Sequence, residues 1–323
     1  MYDIITIGSA TRDVFLQSRE FKKIKDPSFA TGQAECFALG SKIEIKKIVI
    51  TIGGGGVNVA TTFGRQGLGT ACVGVIGNDV TGKEILAELE KENVKPVFQV
   101  HDDDMTAYSA ILVHESGERT ILSYKGEGQH FDVSEIPFGD LHSKWIYLGS
   151  LGGHYDLFEA SINHAVKNNI KIAMNPGGKE LAHGLDKIKP LLEQIDVYLT
   201  NQEEAAMLVG VDYEKEDEAF EKLKGIFKGT VVMSKGPEGV RVWHEGKEYT
   251  AGVPDSPVVE RTGAGDAFGS GFVSEFIRSG DIKKAIQLGT ANASSVVTEF
   301  GAVAGILKGG DTGPWPLVEV IEK

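Results

Sequence analysis

The sequence predicts an α/β fold in which helices cover both faces of a mostly parallel central sheet, while a second, small sheet projects from it. From about residue 144 onward, short apolar runs alternate with amphipathic segments, a pattern typical of a parallel sheet covered by helices. Two β-rich stretches, 12–50 and 97–125, break this alternation, and we assign them to the small sheet. No linker or repeat divides the chain, so we expect residues 1–323 to form one domain.

The first half of the chain contains most of the elements that break the alternation. Short apolar runs predict strands at 3–8, 71–76, 97–100, 108–114 and 119–124, and further β-prone runs lie at 36–39 and 43–52. A turn at 115–118 joins two of these strands as a hairpin. Apolar residues at helical spacing predict helices at 57–67 and 82–92.

The second half alternates regularly between strands and helices. Strands are predicted at 145–148, 171–174, 197–200 and 230–234, followed by a hairpin of 240–244 and 248–251. Helices are predicted at 155–168, 203–209, 217–227, 267–279, 282–295 and 318–323. Ligands of open α/β sheets bind at the carboxyl ends of the strands, and the motifs described below follow predicted strands.

Composition and charge narrow the classes of function. The chain has 41 glycines and a formal net charge of −13. An acidic surface repels phosphate backbones, which argues against general nucleic-acid binding. Cys36 and Cys72 are too few for a disulfide framework, the N-terminal run is too short and acidic for a signal peptide, and no apolar run is long enough to span a membrane. We therefore expect a cytoplasmic protein with no membrane or nucleic-acid partner.

The most informative motif is Gly263-Ala264-Gly265-Asp266, which stands directly before a predicted helix. Small residues let the backbone wrap around an anion, and the N–H groups of the helix N-terminus add a partial positive charge. Asp266 has two interpretations at this point. It is either the N-cap of the helix, or a base that accepts the proton of a hydroxyl attacking the bound anion.

A second glycine-rich turn, Gly53-Gly54-Gly55-Gly56, precedes a predicted helix that contains Asn58. The amide of Asn58 can both donate to and accept from a substrate hydroxyl. Taken alone, the motif is better explained as an ordinary turn into a helix.

Residues 77–84 nearly match a phosphate-binding loop of the Walker A type, but they do not complete it. Glu84 stands where that loop needs a Ser or Thr to hold Mg²⁺. We therefore predict a simple turn into the helix at 82–92.

Two further motifs follow predicted strands. Asn201 and Glu204 share one helix face, where a carboxylate can hold Mg²⁺, although the same pair also makes a good helix cap. Ser234, Gly236 and Gly239 form a turn that can approach a nucleotide, or that simply joins a strand to the hairpin.

Taken in order along the chain, these four motifs resemble the ribokinase-like (PfkB) family of carbohydrate and nucleoside kinases. The similarity runs from about residue 3 to residue 305, and the Gly263–Asp266 motif is its most specific part. The resemblance implies a three-layer α/β/α fold with a β-sheet lid formed by 12–50 and 97–125. It further implies ATP and Mg²⁺, in-line transfer of the γ-phosphoryl group to a substrate hydroxyl, and a homodimer formed through the lid.

Carried over by position, the resemblance implies a role for each motif residue. The catalytic residues are the base Asp266 and the anion hole of Gly263, Ala264 and Gly265. The substrate-binding residues are Asp13, Gly54, Gly55 and Asn58. The cofactor-binding residues are Asn201, Glu204, Ser234, Gly236, Gly239, Asn292 and Gly301, with Glu204 as the metal ligand. Arg119 lies near the expected lid, where it either reaches a substrate group or is simply solvated.

The sequence departs from the family pattern at three positions. Glu260 and Arg261 stand where the family usually has Asp and Thr, which leaves a requirement for a monovalent cation open. Thr11 stands where ribokinases carry Asn, which weakens the case for ribose.

Three functions remain after the sequence analysis. The first is a kinase that phosphorylates a sugar or sugar-like molecule. The second is a nucleoside kinase of the same fold, which an aromatic lid built from Phe15, Phe29, Phe37 and Tyr108 would favour. The third is a regulatory protein that binds a nucleotide or sugar without turnover. Asp266 beside a complete anion hole favours an enzyme.

Overall fold

A computed structural model describes residues 1–29, 32–116 and 118–323. The strands are β1 Tyr2–Ile7, β2 Thr11–Gln17, β3 Lys22–Lys25, β4 Gln33–Cys36, β5 Lys47–Gly53, β6 Thr70–Gly77, β7 Val94–His101, β8 Tyr108–Val113, β9 Arg119–Tyr124, β10 Ser143–Leu148, β11 Lys171–Met174, β12 Val197–Asn201, β13 Thr230–Ser234, β14 Val240–His244, β15 Lys247–Ala251 and β16 Val320–Glu322. The helices are α1 Gly55–Arg65, α2 Val80–Lys91, α3 Tyr155–Lys167, α4 Gly178–Leu181, α5 Leu185–Leu192, α6 Gln202–Val209, α7 Glu216–Ile226, α8 Ala264–Ser279 and α9 Ile282–Val296.

The large sheet has ten strands in the order β16-β15-β14-β13-β12-β11-β10-β1-β6-β7. The seven strands from β13 to β7 in this order are parallel, and β14, β15 and β16 add antiparallel pairs at one edge. Every residue of β6 is buried, as expected for a parallel strand covered on both faces. The predicted, mostly parallel central sheet is confirmed.

Two apolar clusters lie on opposite faces of the large sheet, because successive side chains of a strand alternate between faces. Ile5 and Ile7 of β1 belong to the cluster that contains residues of α3, α5, α6 and α7. Ile4 belongs to the cluster that contains residues of α1, α8 and α9. The molecule therefore has three layers, helix, sheet and helix, as expected.

The small sheet consists of four strands in the order β5-β2-β8-β9. β2 pairs antiparallel with β5 and parallel with β8, and β8 pairs antiparallel with β9. The β3–β4 hairpin forms a separate two-stranded sheet. Gly117, in the predicted turn between β8 and β9, lies outside the described residues.

Four predictions of secondary structure need correction. The β-prone run at 36–39 does not form a strand beyond Cys36, because β4 is Gln33–Cys36. Residues 318–323 do not form a helix, because β16 pairs antiparallel with β15 and extends the sheet. Residues 97–100 belong to β7, which pairs with β6 in the large sheet, so the small sheet takes from the second stretch only the residues after 107. Helices α4 and α5, the latter with an internal proline, were not predicted.

The Walker-like residues 77–84 form the predicted turn into a helix. Asp79 caps α2 by accepting a hydrogen bond from the backbone N–H of Gly82 at 2.7 Å. Glu84 is on the helix and forms an ion pair with Arg12. Within the described residues, none of the helices is long and apolar enough to cross a membrane.

Candidate active site

Asp266 lies in the first turn of α8 but does not cap the helix. The N-cap is Gly263, whose φ of 76° lies in the left-handed region, and a Cβ built on Gly263 would lie 2.3 Å from the Cβ of Ala302. Glycine alone suits both the backbone and the available space. No described side chain caps α8. The N–H of Ala264 donates to the carbonyl of Arg261 at 3.3 Å, and the N–H groups of Gly265 and Asp266 are available to an anion. The interpretation of Asp266 as an N-cap is wrong.

The carboxylate of Asp266 contacts a helix from the other end of the chain. Asn58 of α1 donates a hydrogen bond from Nδ2 to Oδ2 of Asp266 at 2.8 Å, across 208 residues of sequence. The amide oxygen of Asn58 is buried and has no hydrogen-bond partner among the described residues. The pair therefore holds the carboxylate in place and keeps an acceptor atom for a further donor.

Burial raises the pKa of Asp266 to about 6, and the negative charge of Asp13 adds to the rise while the hydrogen bond from Asn58 opposes it. A carboxyl group with this pKa is ionised at neutral pH but is a stronger base than an ordinary aspartate. These are the properties that a general base needs near pH 7.

The glycine run before α1 packs tightly against the β1–β2 loop. Gly54 has a φ of 93°, and a Cβ built there would lie 2.5 Å from the carbonyl oxygen of Ser9. A Cβ on Gly55 would meet nothing closer than Oδ1 of Asp266, at 3.8 Å. The turn therefore brings backbone close to Asp266 and leaves open space beside its Oδ1 atom.

Asp13 lies in β2 of the small sheet, next to this glycine turn. Its side chain is 5% exposed, and Thr11 donates a hydrogen bond from Oγ1 to Oδ1 of Asp13 at 2.8 Å. Burial raises the pKa of Asp13, and the charge of Glu260 adds to the rise. The structure thus brings Asp13, Gly54, Gly55, Asn58 and Asp266 into one neighbourhood.

A cleft of about 600 Å³ lies on the other side of the α8 N-terminus. It is lined by Ser234, Gly236 and Gly239 of the turn after β13 and by Ala264 and Gly265. Phe268, Ala293 and Val297 give the cleft an apolar wall, beside which lie Thr290 and Ser294. A cleft with one apolar wall and one glycine-rich wall suits a planar base and a chain of phosphates.

Asn201 and Glu204 form the helix cap that was the alternative for this motif. The Asn201 side chain accepts from the Glu204 N–H at 2.8 Å, and Glu204 Oε2 accepts from the Asn201 N–H at 3.1 Å. Burial raises the pKa of Glu204. Asn201 lies opposite Ser234 in the β12–β13 pair, which places the cap beside the cleft.

Asn292 and Gly301 do not line this cleft. The Asn292 side chain is fully buried, and its amide donates to the carbonyl of Ala267 at 2.8 Å and accepts from the N–H of Leu307 at 2.9 Å. Gly301 has a φ of 90° and lies against Thr51 of the small sheet. Their predicted contacts with the nucleotide stay predictions, and the structure gives both a local packing role.

Glu260 is fully buried and connects two loops by accepting hydrogen bonds from their backbone. Its Oε2 accepts from the N–H of Thr262 at 2.6 Å, and its Oε1 accepts from the N–H of Gly301 at 3.1 Å. Both carboxylate oxygens are therefore used by backbone donors. Within the described part of the chain, His, Cys, Asp and Glu side chains form no group of three or more that could hold a metal ion.

Sequence reasoning missed two supports of the site. Ser9 accepts hydrogen bonds from the N–H of Gly56 through its carbonyl and from the N–H of Gly55 through Oγ. Glu180, which is 1% exposed, accepts from the N–H groups of Leu151 and Gly177. Glu180 belongs to the unpredicted helix α4, and no local pattern marks it as a buried acceptor.

The fold is the ribokinase fold, which the chain shares with solved ribokinase structures. The model of the pfkB family of carbohydrate kinases matches residues 3–308, and the chain belongs to this family.

Individual relatives agree with this assignment. The chain is 29% identical to an uncharacterized sugar kinase of Archaeoglobus fulgidus, covering 75% of this chain and 96% of the relative. It is 28% identical to the ribokinase of Haemophilus influenzae, covering 80% and 84%. The crystal structure of adenosine kinase from Sinorhizobium meliloti shares the fold with a TM-score of 0.78, at 22% identity and over 93% and 95% of the two chains.

Proposed function

We propose that the protein is a cytoplasmic, ATP-dependent phosphotransferase that moves the γ-phosphoryl group to a hydroxyl of a sugar or sugar-like molecule. The observation that carries the proposal is the Asn58–Asp266 pair beside a helix N-terminus whose N–H groups no described side chain caps. Gly263, Ala264 and Gly265 form the anion hole.

Asp266 acts as the general base in this proposal. Its Oδ2 is held by Asn58, while Oδ1 makes no hydrogen bond among the described residues and faces the space left by Gly55. An acceptor hydroxyl bound there gives its proton to Asp266 as its oxygen attacks the γ-phosphorus. Asp13 and the backbone of Gly54 hold neighbouring hydroxyls of the acceptor.

The donor nucleotide lies in the cleft on the other side of the anion hole. Ser234, Gly236 and Gly239 approach its phosphates, and the apolar wall with Phe268 contacts its base. Asn201 accepts a hydrogen bond from the N–H of Glu204, and its pairing with Ser234 brings this cap next to the cleft wall. Glu204 would hold Mg²⁺, which would supply charge neutralisation for the phosphoryl transfer.

Three of the four aromatic residues that would favour a nucleoside are buried, packed against another ring, or on the sheet face opposite Asp13, while Phe29 is 51% exposed. Phe15 is 1% exposed within the core of the small sheet. Tyr108 pairs with Arg12, so it lies on the opposite face of the sheet from Asp13. Phe37 packs near Phe21. This arrangement supports a sugar over a nucleoside as the acceptor.

We further propose that a second copy of the chain covers the outer face of the small sheet. The face opposite Asp13 carries an apolar row of Ile50, Val14, Ala110 and Leu122, which are neighbours across all four strands. Ile50 and Leu122 are each 56% exposed. An exposed apolar sheet face of this kind favours association.

A phosphorylation screen tests the proposed function. ATP is offered with sugars, sugar acids and nucleosides, and ADP release is measured for each acceptor. We expect a sugar or sugar derivative to give the highest kcat/KM. A nucleoside as the best acceptor would replace the sugar proposal, and ATP binding without ADP release across the panel would instead support a regulatory protein.

A further inference from the structure

Arg119 and Arg261 have no carboxylate partner among the described residues. The sequence contains seven arginines, and the other five form ion pairs, namely Arg12 with Glu84, Arg19 with Glu115, Arg65 with Glu92, Arg241 with Glu216 and Arg278 with Glu275. With a formal net charge of −13, the chain has carboxylates in excess. Two arginines that meet none of them are candidates for binding an anion from outside the chain.

Both of these arginines line the same cavity, which has a volume of about 680 Å³. Its walls come from the β3–β4 hairpin, the β8–β9 hairpin and the loop that contains Val258 and Arg261. The cavity therefore lies between the small sheet and the loop that leads into the anion hole.

Strand register places Arg119 on the substrate side of the small sheet. Asp13 pairs with Ser109, and Arg119 pairs with Val113, four residues further along β8. Residues an even number apart lie on the same face of a strand. Arg119 therefore shares the face of Asp13, at a distance along β8 of about 13 Å.

Arg261 connects this cavity to the nucleotide cleft. Its side chain lines both, and it lies two residues before Gly263, the first residue of the anion hole. The turn of Ser234, Gly236 and Gly239 lines the cleft but not the cavity. The donor phosphates are thus accommodated on one side of Arg261, and the cavity on its other side is open to the acceptor.

The remaining charges of the cavity wall leave it positive. Lys23 and Glu118 form an ion pair with each other, and His114 hydrogen-bonds to Ser116. Glu35 is the remaining carboxylate, and its Oε1 is buried without a hydrogen-bond partner among the described residues. Two guanidinium groups face one carboxylate, and that carboxylate can accept from a hydroxyl.

We propose that Arg119 and Arg261 bind a phosphate group carried by the acceptor, so that the preferred acceptor is a phosphorylated sugar. This inference rests on the proposed function and specifies its substrate class. Guanidinium groups bind phosphate through paired, charge-assisted hydrogen bonds. Glu35 accepts from a hydroxyl of the same molecule, which a sugar phosphate provides and inorganic phosphate does not.

Matched acceptors test the proposal. The kcat/KM values of D-ribose and D-ribose 5-phosphate, and of D-fructose and D-fructose 6-phosphate, are compared for the wild type, Arg119→Gln and Arg261→Gln. We expect each variant to lose about 10- to 100-fold in kcat/KM for the phosphorylated acceptor. Arg119→Gln, which does not line the nucleotide cleft, should change the value for the neutral acceptor by less than twofold. Arg19→Gln, in the turn that follows β2 and paired with Glu115, is the control and should change neither.

The kinetic constants distinguish binding of the acceptor's phosphate from binding of the phosphates of ATP. A rise in the KM of ATP with both kinds of acceptor equally affected would mean that the arginines hold donor phosphates, and would overturn the proposal. So would a wild type that phosphorylates neutral sugars at least as well as their phosphates.

A binding measurement decides the case in which no acceptor is turned over. That result would contradict the proposed function, but calorimetry with D-ribose 5-phosphate still tests the subsite. We expect the wild type to bind it and Arg119→Gln to bind at least tenfold more weakly. Equal affinity of the two proteins would overturn the inference.

Discussion

At the scale of single residues, the site depends on one hydrogen bond between Asn58 and Asp266. Each side chain uses one of its two polar atoms in this contact and keeps the other, Oδ1 in both cases, free of partners among the described residues. The two free oxygens are both acceptors, so they suit a ligand that brings hydroxyl groups. The pair therefore matches the chemistry of a polyol.

Asp266→Asn is expected to abolish turnover while ATP still binds. The variant cannot accept a proton, and a positioned base contributes about 10²- to 10⁴-fold. Asn58 can keep its hydrogen bond by donating to the new amide oxygen, so the fold should persist. Activity is measured by ADP release and ATP affinity by calorimetry. A variant that keeps more than a few percent of the wild-type kcat would rule out Asp266 as the base.

The pH dependence of kcat/KM reports the same group in the free enzyme. The base must be ionised, and burial raises the pKa of Asp266 to about 6, so kcat/KM should be constant above pH 7 and fall as the pH decreases through about 6. Asp13→Asn removes a charge that raises this pKa, and the acidic limb should then move to lower pH. A limb that stays in place in Asp13→Asn would show that another group controls it.

At the scale of elements, the start of α8 is set by backbone geometry. Gly263→Ala forces a Cβ into the left-handed region and against Ala302, so we expect a loss of about 1–3 kcal/mol in the free energy of unfolding. The displaced anion hole should also lower kcat/KM for ATP by about 10²-fold. Chemical denaturation and steady-state kinetics measure the two effects.

Gly280→Ala is the matched control. Gly280 ends the same helix with a φ of 68°, and a Cβ built there meets nothing within 4 Å. It should lose roughly 1–2 kcal/mol from the backbone alone and keep its kinetic constants. Equal kinetic losses in both variants would show that stability, not the anion hole, is responsible.

The same scale explains which elements the sequence could predict. Helices and parallel strands of the second half carry long, regular patterns, and their predicted bounds agree with the structure to within a few residues. Residues 318–323 were wrongly predicted as a helix. A run this short has no clear periodicity that distinguishes a helix from a strand, and pairing with β15 makes it a strand. β7 was assigned to the wrong sheet for a related reason, since its partner, β6, is a matter of tertiary contact.

At the scale of the whole molecule, the small sheet presents two chemically different faces. Asp13 and Arg119 lie on one face, and the apolar row with Ile50 and Leu122 lies on the other. We expect Ile50→Asp to convert a dimer to monomers, because a charge in a paired apolar face is costly. Light scattering gives the mass. Ile321→Asp, at an exposed isoleucine of β16, should stay dimeric, and a monomeric wild type would contradict the prediction.

The candidate site could be predicted from the sequence only as separate parts. The motif around Asp266 predicted an anion hole, but its contact with Asn58 depends on how α1 and α8 pack, which no local pattern encodes. Glu260 differs from the family residue, and only the structure shows it bracing two loops. Likewise, no local sequence pattern predicts that Arg119 and Arg261 line one cavity, because this depends on the three-dimensional fold.

The contact between Asn58 and Asp266 has a consequence for the protein during synthesis. The two residues are 208 positions apart, so Asp266 is synthesised long after Asn58. Any chain interrupted before residue 266 has a complete first half but lacks the proposed base, and we expect it not to consume nucleotide. A pair of fragments cut between the two residues should therefore recover activity only on reassembly, which makes the enzyme a natural candidate for a split reporter.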